Sequence, residues 1–354
     1  MSRKPNVAII IVNWNGLAHL KLLLPSLSKQ GNQWQTVYIV DNHSTDQSVS
    51  YIKKTFPAVK LIALSANLGF SGGNNRGIEQ ALADGHDYIF LLNNDTKVKP
   101  NLISRLVDFM EGHPRVGIAQ PKLLLLDHPE RIDSCGSWLS RTGFLLHYGV
   151  EELDQPKYNK NQPMFTIKGA AMMIRRQTLV DVGLFDHDFF AYFEETDLCW
   201  RAWLAGWKVY YAPVSVVYHL MGGSTKLIGS PVINYHSYKN RINSLIKNLA
   251  LINLVWILPL HLILIISFSF AYFLTFHGRS GWSIYRAIGW NIMHLPATLK
   301  QRQAIQQSRI ISDRQLFPII MRPIPWKDTV SFAFRIFTGK RKTEIIAQRA
   351  QSKQ

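Results

Sequence analysis

Residues Val7–Gly16 read VAIIIVNWNG, six apolar and mostly β-branched residues that stop at an asparagine. Side chains branched at Cβ pack well on a pleated surface, and a run that is apolar at every position belongs to a strand buried on both faces, as in a parallel sheet. A second such run, Val37–Val40 (VYIV), also ends in polar residues, and between the two the leucines of Leu17–Gln30 recur at helical spacing. The alternation continues outward, with Ser48–Phe56 reading as helix, Leu61–Leu64 as strand, Gly72–Asp84 as helix and Tyr88–Leu92 (YIFLL) as strand. Strict alternation of this kind builds a doubly wound α/β sheet. Ligands of such sheets bind beyond the carboxyl ends of the strands, where Asn13–Asn15, Asp41–Asp46 and Asn93–Asp95 all fall.

Beyond Pro100 the pattern predicts a helix to about Gly112, strand-like segments over Ile118–Leu126 and Met164–Ile174, a loop at Phe185–Phe193 and a helix over Glu195–Ala205. No internal repeat or low-complexity tract interrupts it.

Charge divides the chain. Residues 1–224 carry 22 Lys and Arg against 20 Asp and Glu, whereas residues 225–354 carry 18 against 3, within an overall net charge of +17. Nucleic-acid recognition needs cations arrayed on the recognising domain itself, so a near-neutral front and a basic back argue against it. No nucleic-acid partner is expected. A basic segment flanking an apolar one suits anionic lipid head groups. Cys135 and Cys199 lack metal or redox spacing and are too few for a disulfide framework, which fits a reducing, cytoplasmic setting.

Residues 249–276 contain no charged side chain, a run longer than the roughly 20 residues a helix needs to cross a bilayer. Lys239, Arg241 and Lys247 precede it and Arg279, Arg286, Lys300 and Arg302 follow it, so both flanks are cytoplasm-seeking. Pro259 is placed to break the helix. The expectation is a re-entrant segment with both ends cytoplasmic, with a single span as the alternative. The organisation read from the sequence is therefore a catalytic domain over 1–224, a basic linker or amphipathic segment over 225–248, a membrane-inserted segment over 249–276 and a basic helical region on the membrane surface over 277–354.

Four clusters in the first domain carry chemistry. In Asp41–Asp46 (DNHSTD) a carboxylate at a strand end can accept hydrogen bonds from a nucleobase or a ribose, although the same residues also form a solvated turn with Asp46 as a helix cap. In Asn67–Gly77 (NLGFSGGNNRG) a turn rich in Gly and Asn lets backbone amides approach a ligand, with Arg76 as a charge, or simply supplies a tight turn. In Asn93-Asn94-Asp95 a carboxylate offers a hard oxygen ligand for Mg²⁺ or Mn²⁺. In Phe189–Arg201 (FFAYFEETDLCWR) Glu194, Glu195 and Asp197 crowd at a helix start behind four aromatics. Apolar surroundings raise a carboxylate's pKa towards general-base work, while acidic residues in a first turn also complement the helix dipole. His219, ending the apolar VSVVYH segment, is a core histidine or a metal ligand.

Taken in order, the stretches Val7–Gly16, Val40–Asp46, Asn67–Gly77, Leu91–Asp95 (LLNND), Lys168–Arg175 (KGAAMMIR) and Phe189–His219 resemble glycosyltransferase family two, in particular its bacterial rhamnosyltransferase-like members. The resemblance implies the GT-A fold, a Rossmann-like, doubly wound mixed sheet, followed here by a membrane-associated helical region. It implies a nucleotide diphosphate sugar donor held by Asn13, Asn15, Asp41, Asn42, Asn67, Gly69, Gly73, Arg76, Asn94 and Asp95, with Asp41 at the nucleobase. Asp95 and His219 correspond to the ligands of a Mg²⁺ or Mn²⁺ ion, and Glu195 to the catalytic base, supported by Glu194 and Asp197. Two positions depart from the family pattern, Asn93 in place of the metal motif's first Asp and Glu194-Glu195 in place of Glu-Asp. The implied reaction inverts the anomeric centre, with dTDP-rhamnose as the expected donor and a lipid-linked glycan as the acceptor. The implied place is the cytoplasmic face of the bacterial inner membrane, in polysaccharide or lipopolysaccharide assembly. The alternatives are a UDP-hexose or galactofuranosyl transferase of the same fold and a non-catalytic, nucleotide-sugar-binding membrane scaffold.

Overall fold

The computed structural model describes residues 5–30, 35–220 and 230–324. The start of the expected 225–248 segment and residues 325–354 of the expected C-terminal region lie outside the described residues. The chain forms two compact units: the first comprises residues 1–137, 147–223 and 307–320, the second 138–146, 224–306 and 321–354.

In the first unit the predicted alternation is present as β1 (Val7–Asn13), α1 (Leu17–Leu27), β2 (Gln35–Asp41), α2 (Ser48–Thr55), β3 (Lys60–Ala63), α3 (Gly69–Ala83) and β4 (Tyr88–Leu92). There follow β5 (Thr96–Val98), α4 (Leu102–Glu111), β6 (Val116–Leu125), β7 (Ile132–Ser134), a small separate hairpin of β8 (Ser137–Leu139) and β9 (Leu145–His147), then β10 (Gln162–Pro163) and β11 (Ala171–Arg175). Helices α5 (Arg176–Val182) and α6 (Glu194–Leu204) lead into β12 (Lys208–His219). Strand order along the main sheet is β10-β12-β6-β11-β4-β1-β2-β3. The β3-β2-β1-β4 half is parallel, β11 enters antiparallel between β4 and β6, and β6 and β12 are parallel again.

Register aligns the strand ends that matter. Asn13 pairs with Asp41, and His219 with Thr96, which directly follows Asp95. The core under this edge is aliphatic: Ile9, Ile11 and Ile39 from the strands meet Leu20, Leu23 and Leu24 of α1, all buried. Only part of the expected Met164–Ile174 strand forms, because Thr166 exchanges backbone bonds with Ser137 alone and Lys168 N donates to the Gln120 side chain instead of a ladder.

The second unit consists mainly of helices α7 (Ser230–Asn248), α8 (Leu251–Leu274), α9 (Gly278–Met293) and α10 (Leu295–Gln307). Tyr238, Ile242 and Ile246 of α7, Ile265 of α8, and Ile284 and Ala287 of α9 form its core. Polar bonds lock the bundle: Asn291 Nδ2 donates to Lys239 O at 3.0 Å and Asn243 Nδ2 to Thr298 Oγ1 at 2.9 Å. Helix α8 continues through Pro259, contrary to the expected break, so the apolar segment is one rod. Its length and composition suffice to cross a membrane, and 17% of its most apolar window is buried. Helix α11 (Asp313–Ile320) belongs to the first unit, where the preceding Ile310 N and Ile311 N both donate to Leu204 O.

Candidate active site

The strand ends of β1 and β2 are built as one hydrogen-bonded block. Asn13, fully buried, donates from Nδ2 to Asp41 Oδ1 at 3.3 Å and Ser44 Oγ at 3.2 Å, and its Oδ1 accepts from Asn94 Nδ2 at 2.9 Å. Asp41 Oδ2 accepts from Ser44 N at 3.0 Å. Asn15, at φ 48° in the left-handed region that asparagine tolerates, accepts Thr45 N at 2.7 Å and Asp46 N at 3.3 Å on its Oδ1. Asp46 in turn accepts Leu17 N at 3.1 Å and Ser48 N at 3.0 Å, tying the loop to the starts of α1 and α2 and holding its own carboxyl below the ordinary range through these bonds, against burial. The loop is thus fixed before any ligand arrives.

A second array lies across β4 and β12. His219, 5% exposed, directs Nδ1 at Asp133 Oδ2 (2.9 Å) and Nε2 at Asp95 Oδ1 (3.3 Å). Asp133 also accepts Lys168 Nζ on Oδ1 at 2.6 Å. Burial alone would raise Asp133, but Lys168 and His219 more than offset it and hold its carboxyl at about 2. An ionised Asp133 accepts a hydrogen bond from Nδ1–H and leaves Nε2 facing Asp95, the arrangement in which a carboxylate orients a metal-ligating imidazole. Burial lowers the basicity of His219, yet the contacts with Asp133 and Asp95 raise it above the usual imidazole range. Asp95 Oδ1 is buried without a conventional hydrogen bond. His219 Nε2 also meets Asn93 Nδ2 at 3.4 Å; once Nε2 is unprotonated, it and the buried Asp95 oxygen 3.3 Å away form a donor pair of the kind that suits a hard divalent cation.

Helix α6 brings the carboxylates. Glu194 Oε2 and Glu195 Oε2 are both buried without hydrogen-bond partners. Desolvation, and then the neighbouring Glu195 charge, push Glu194 well above the ordinary range. Desolvation raises Glu195 as well, opposed by the Lys168 ammonium. Lys168 therefore connects the two arrays: it bonds Asp133, which orients His219 towards Asp95, and it acts electrostatically on Glu195.

The profile of the family described as glycosyltransferase-like family 2 matches residues 5–229. The chain belongs to that family. It is 28% identical over 239 residues to an N-acetylglucosaminyl-diphospho-decaprenol L-rhamnosyltransferase of Mycobacterium tuberculosis, covering 61% of this chain and 76% of that one. It is 26% identical over 251 residues to the dTDP-rhamnosyl transferase RfbF of Shigella flexneri, covering 69% of this chain and 81% of the relative. Among solved structures, that of Staphylococcus aureus TarS residues 1–349 in complex with UDP-GlcNAc superposes with a TM-score of 0.54 at 17% identity, covering 86% of this chain and 87% of that one. The sheet is a GT-A fold, and the protein is a glycosyltransferase that acts with a nucleotide sugar.

Several residues assigned to the donor or the base by family resemblance have other partners in this glycosyltransferase. Gly69, at φ +71°, lies so close to Phe190 that a Cβ would stand 2.2 Å from the Phe190 carbonyl oxygen, and Phe70 N donates to that same oxygen at 2.7 Å. Gly73 lets α3 approach β1, since a Cβ there would meet Val12 Cγ1 at 2.8 Å. Both glycines act in packing. Arg76 is exposed on α3 and pairs with Glu79 at 3.2 Å across one turn of the helix surface. Asn42 and Asn67 hold the loop together, with Asn42 Nδ2 donating to Asn67 Oδ1 and to Gly69 O, both at 2.9 Å. Asp197 is fully buried and accepts a hydrogen bond from Arg201 Nε at 2.9 Å, which secures α6.

Asp133 and Lys168 were not singled out from sequence. Asp186, His187 and Asp188 form, among the described residues, a further group whose ligand atoms lie within 4.8 Å of one another; His187 is 81% exposed, and Asp186 Oδ1 accepts Asp188 N at 3.0 Å within the turn.

Proposed function

We propose that the chain is an inverting glycosyltransferase that moves rhamnose from dTDP-rhamnose to a lipid-linked glycan acceptor. Its setting is the cytoplasmic face of the bacterial inner membrane, in the assembly of cell-surface polysaccharide or lipopolysaccharide. The observation that carries the reading is the connected array Asp95, His219, Asp133, Lys168 beside the desolvated Glu194 and Glu195, at the sheet edge where Asn13 and Asp41 also end. Both relatives described above are rhamnosyltransferases by name, one of them with a diphospho-decaprenol-linked acceptor.

In this reading Asp41 and Asn13 receive the nucleoside. Glu195, the less buried of the two glutamates, takes the proton of the acceptor hydroxyl as its oxygen attacks the anomeric carbon. The carbon–oxygen bond to the diphosphate breaks on the opposite face, its electron pair leaves with the phosphate oxygen, and the centre inverts. Glu194 keeps its proton, because two carboxylates so placed do not both ionise readily. Asp95 and the Nε2 of His219 would hold a Mg²⁺ or Mn²⁺ ion, which supplies Lewis-acid neutralisation of the leaving diphosphate. Helix α8 supplies the apolar length for membrane association.

The test is a thermal-shift titration of the detergent-solubilised full chain with dTDP, UDP, GDP and CDP, each with Mn²⁺ or with a chelator, since a ligand bound to the native state raises its apparent stability. Stabilisation by dTDP that depends on the metal is expected, with Glu195→Gln binding dTDP as well as wild type but failing to turn over dTDP-rhamnose. Selective stabilisation by UDP would overturn the rhamnosyl reading, and equal stabilisation with chelator would overturn the metal's part in it.

A further inference from the structure

Charge over residues 1–224 nearly balances, yet one groove on this unit carries cations alone. A groove of about 430 Å³ is lined by Lys21, Lys29, Lys97 and Lys99 together with Leu22 and Tyr218, and by no carboxylate. The placement follows from periodicity. Lys21 and Lys29 are eight residues apart, two turns along α1 and its continuation, while Lys97 and Lys99 flank buried Val98 on β5 and so leave the strand on the same side.

The two walls are tied together. Ser26 Oγ accepts Val98 N at 3.2 Å, Gln30 Nε2 donates to Lys99 O at 2.9 Å, and Gln30 Oε1 accepts Leu102 N at 3.0 Å. Lys21 lies 5.7 Å from the centre of the Tyr51 ring and Lys99 5.9 Å from that of Tyr218, and among the described residues none of the four lysines pairs with a carboxylate. Four ammonium groups gathered without a counter-charge raise one another's energy, and an anion relieves that.

The lining narrows the choice of anion. Lysines without arginine forks give point charges suited to a diffuse field of phosphates rather than to one bidentate ligand. The exposed Leu22 side chain and the Tyr218 ring stand beside the ammoniums, and such a mixture of lysine stems, an aliphatic tip and a tyrosine belongs to the boundary between lipid head groups and acyl chains. A small soluble anion has no use for the apolar part.

The groove also adjoins the catalytic edge. Lys97 is two residues past Asp95, and in the β5–β12 ladder it pairs with Tyr218 while Thr96 pairs with His219. We propose that this groove docks the phosphates of anionic lipid head groups and so holds the catalytic edge at the membrane surface. The inference is separate from the apolar helix α8 and from which sugar is transferred; it shares with the proposed function only the lipid nature of the surface where the acceptor resides.

The experiment is a short pulse of amine acetylation, read by mass spectrometry, on the full chain in nanodiscs of phosphatidylcholine alone or of phosphatidylcholine with an equal part of phosphatidylglycerol. Lys53, Lys54, Lys160 and Lys208, exposed elsewhere on the same unit, report the general effect of membrane charge on amine reactivity. Relative to these four, Lys21, Lys29, Lys97 and Lys99 should label roughly five-fold more slowly in the anionic discs than in the neutral ones. Equal relative labelling in both discs would overturn the proposal. A further arm adds inorganic diphosphate to the neutral discs. Protection there, without protection by the anionic lipid, would reassign the groove to a soluble phosphate and overturn its lipid role.

Discussion

Lys168 shows how one side chain can serve two ends of a site. Its ammonium bonds Asp133 at 2.6 Å and opposes the rise that burial imposes on Glu195. A general base acts only when ionised, so a raised Glu195 moves the acid limb of the pH–rate profile above the ordinary glutamate range. Replacing Lys168 by Met removes the group that pulls this value down. The limb of kcat/KM for Lys168→Met should therefore move to higher pH, with activity recovering on the alkaline side. A loss equal at every pH would place the lysine's effect in its bond to Asp133 and the His219 array and not in tuning the base. Because Glu194 and Glu195 titrate together, the limb belongs to the pair. Asp41, Asp95 and His219 could be singled out from sequence because each stands at or just beyond a strand end, and Glu195 because it stands at a helix start behind four aromatics. Asp133 was not: it lies 86 residues from His219 in sequence, within a three-residue strand that carries no pattern of its own. Lys168 stood in view inside the KGAAMMIR stretch, but nothing local indicates which carboxylate it will meet.

At the level of elements, the parallel half of the sheet could be read because its strands are short apolar runs, with β1 and β4 buried almost throughout, β2 buried over its carboxyl half and the edge strand β3 partly buried. Helix α3 was harder. Its first turn is rich in glycine, which disfavours helix by about 1 kcal/mol per residue, and it begins at Gly69 where a start at Gly72 was expected. Packing explains the glycines. A Cβ on Gly77 would stand 2.5 Å from Ile10 Cγ2 and 3.1 Å from Val40 Cγ2, so α3 can lie on β1 and β2 only without one. For Gly77→Ala the gain of about 1 kcal/mol in helix propensity opposes an overpacking cost of about 1–3 kcal/mol, and the neighbours have little room to yield because Ile10, mid-strand in β1, and Val40 of β2 are both fully buried. A net loss of about 1–2 kcal/mol is expected, seen as a lower thermal midpoint with nucleotide affinity retained. A higher midpoint would mean that the sheet gives way more easily than its packing suggests. Strand β12 and the uninterrupted course of α8 through Pro259 were missed for related reasons: bulges at Val209 and beyond Tyr211 disturb the strand's alternation, and a proline inside a long apolar helix removes one hydrogen bond without ending the rod.

Across the whole molecule, charge and apolar surface are segregated along the chain. Residues 277–354 carry 14 Lys and Arg against 3 Asp and Glu, and the segment before them is apolar throughout. On α8, Ile252 is 74% exposed and Ile263 62% exposed, so neither is needed for the core of the second unit, which rests on Tyr238, Ile242, Ile265 and Ile284. Apolar side chains so placed favour a hydrocarbon phase by their buried area, a term that salt does not screen, whereas attraction of a basic region to anionic lipid weakens within a Debye length of about 8–10 Å. Washing isolated membranes with concentrated salt separates the two contributions. The full chain should remain in the membrane fraction at high salt. Ile252→Lys with Ile263→Lys should instead become extractable by salt, because a lysine at Ile263, near the centre of the apolar helix, costs about 2.5–3.5 kcal/mol on insertion scales, the one at Ile252 in the first turn adds less, and the basic surface is untouched. The thermal midpoint of the variant in detergent should stay near that of wild type, since both positions face outward. Wild-type chain released by salt alone would make the basic surface, and not α8, the membrane contact, and the hydrophobic rod would then require a protein partner to cover it.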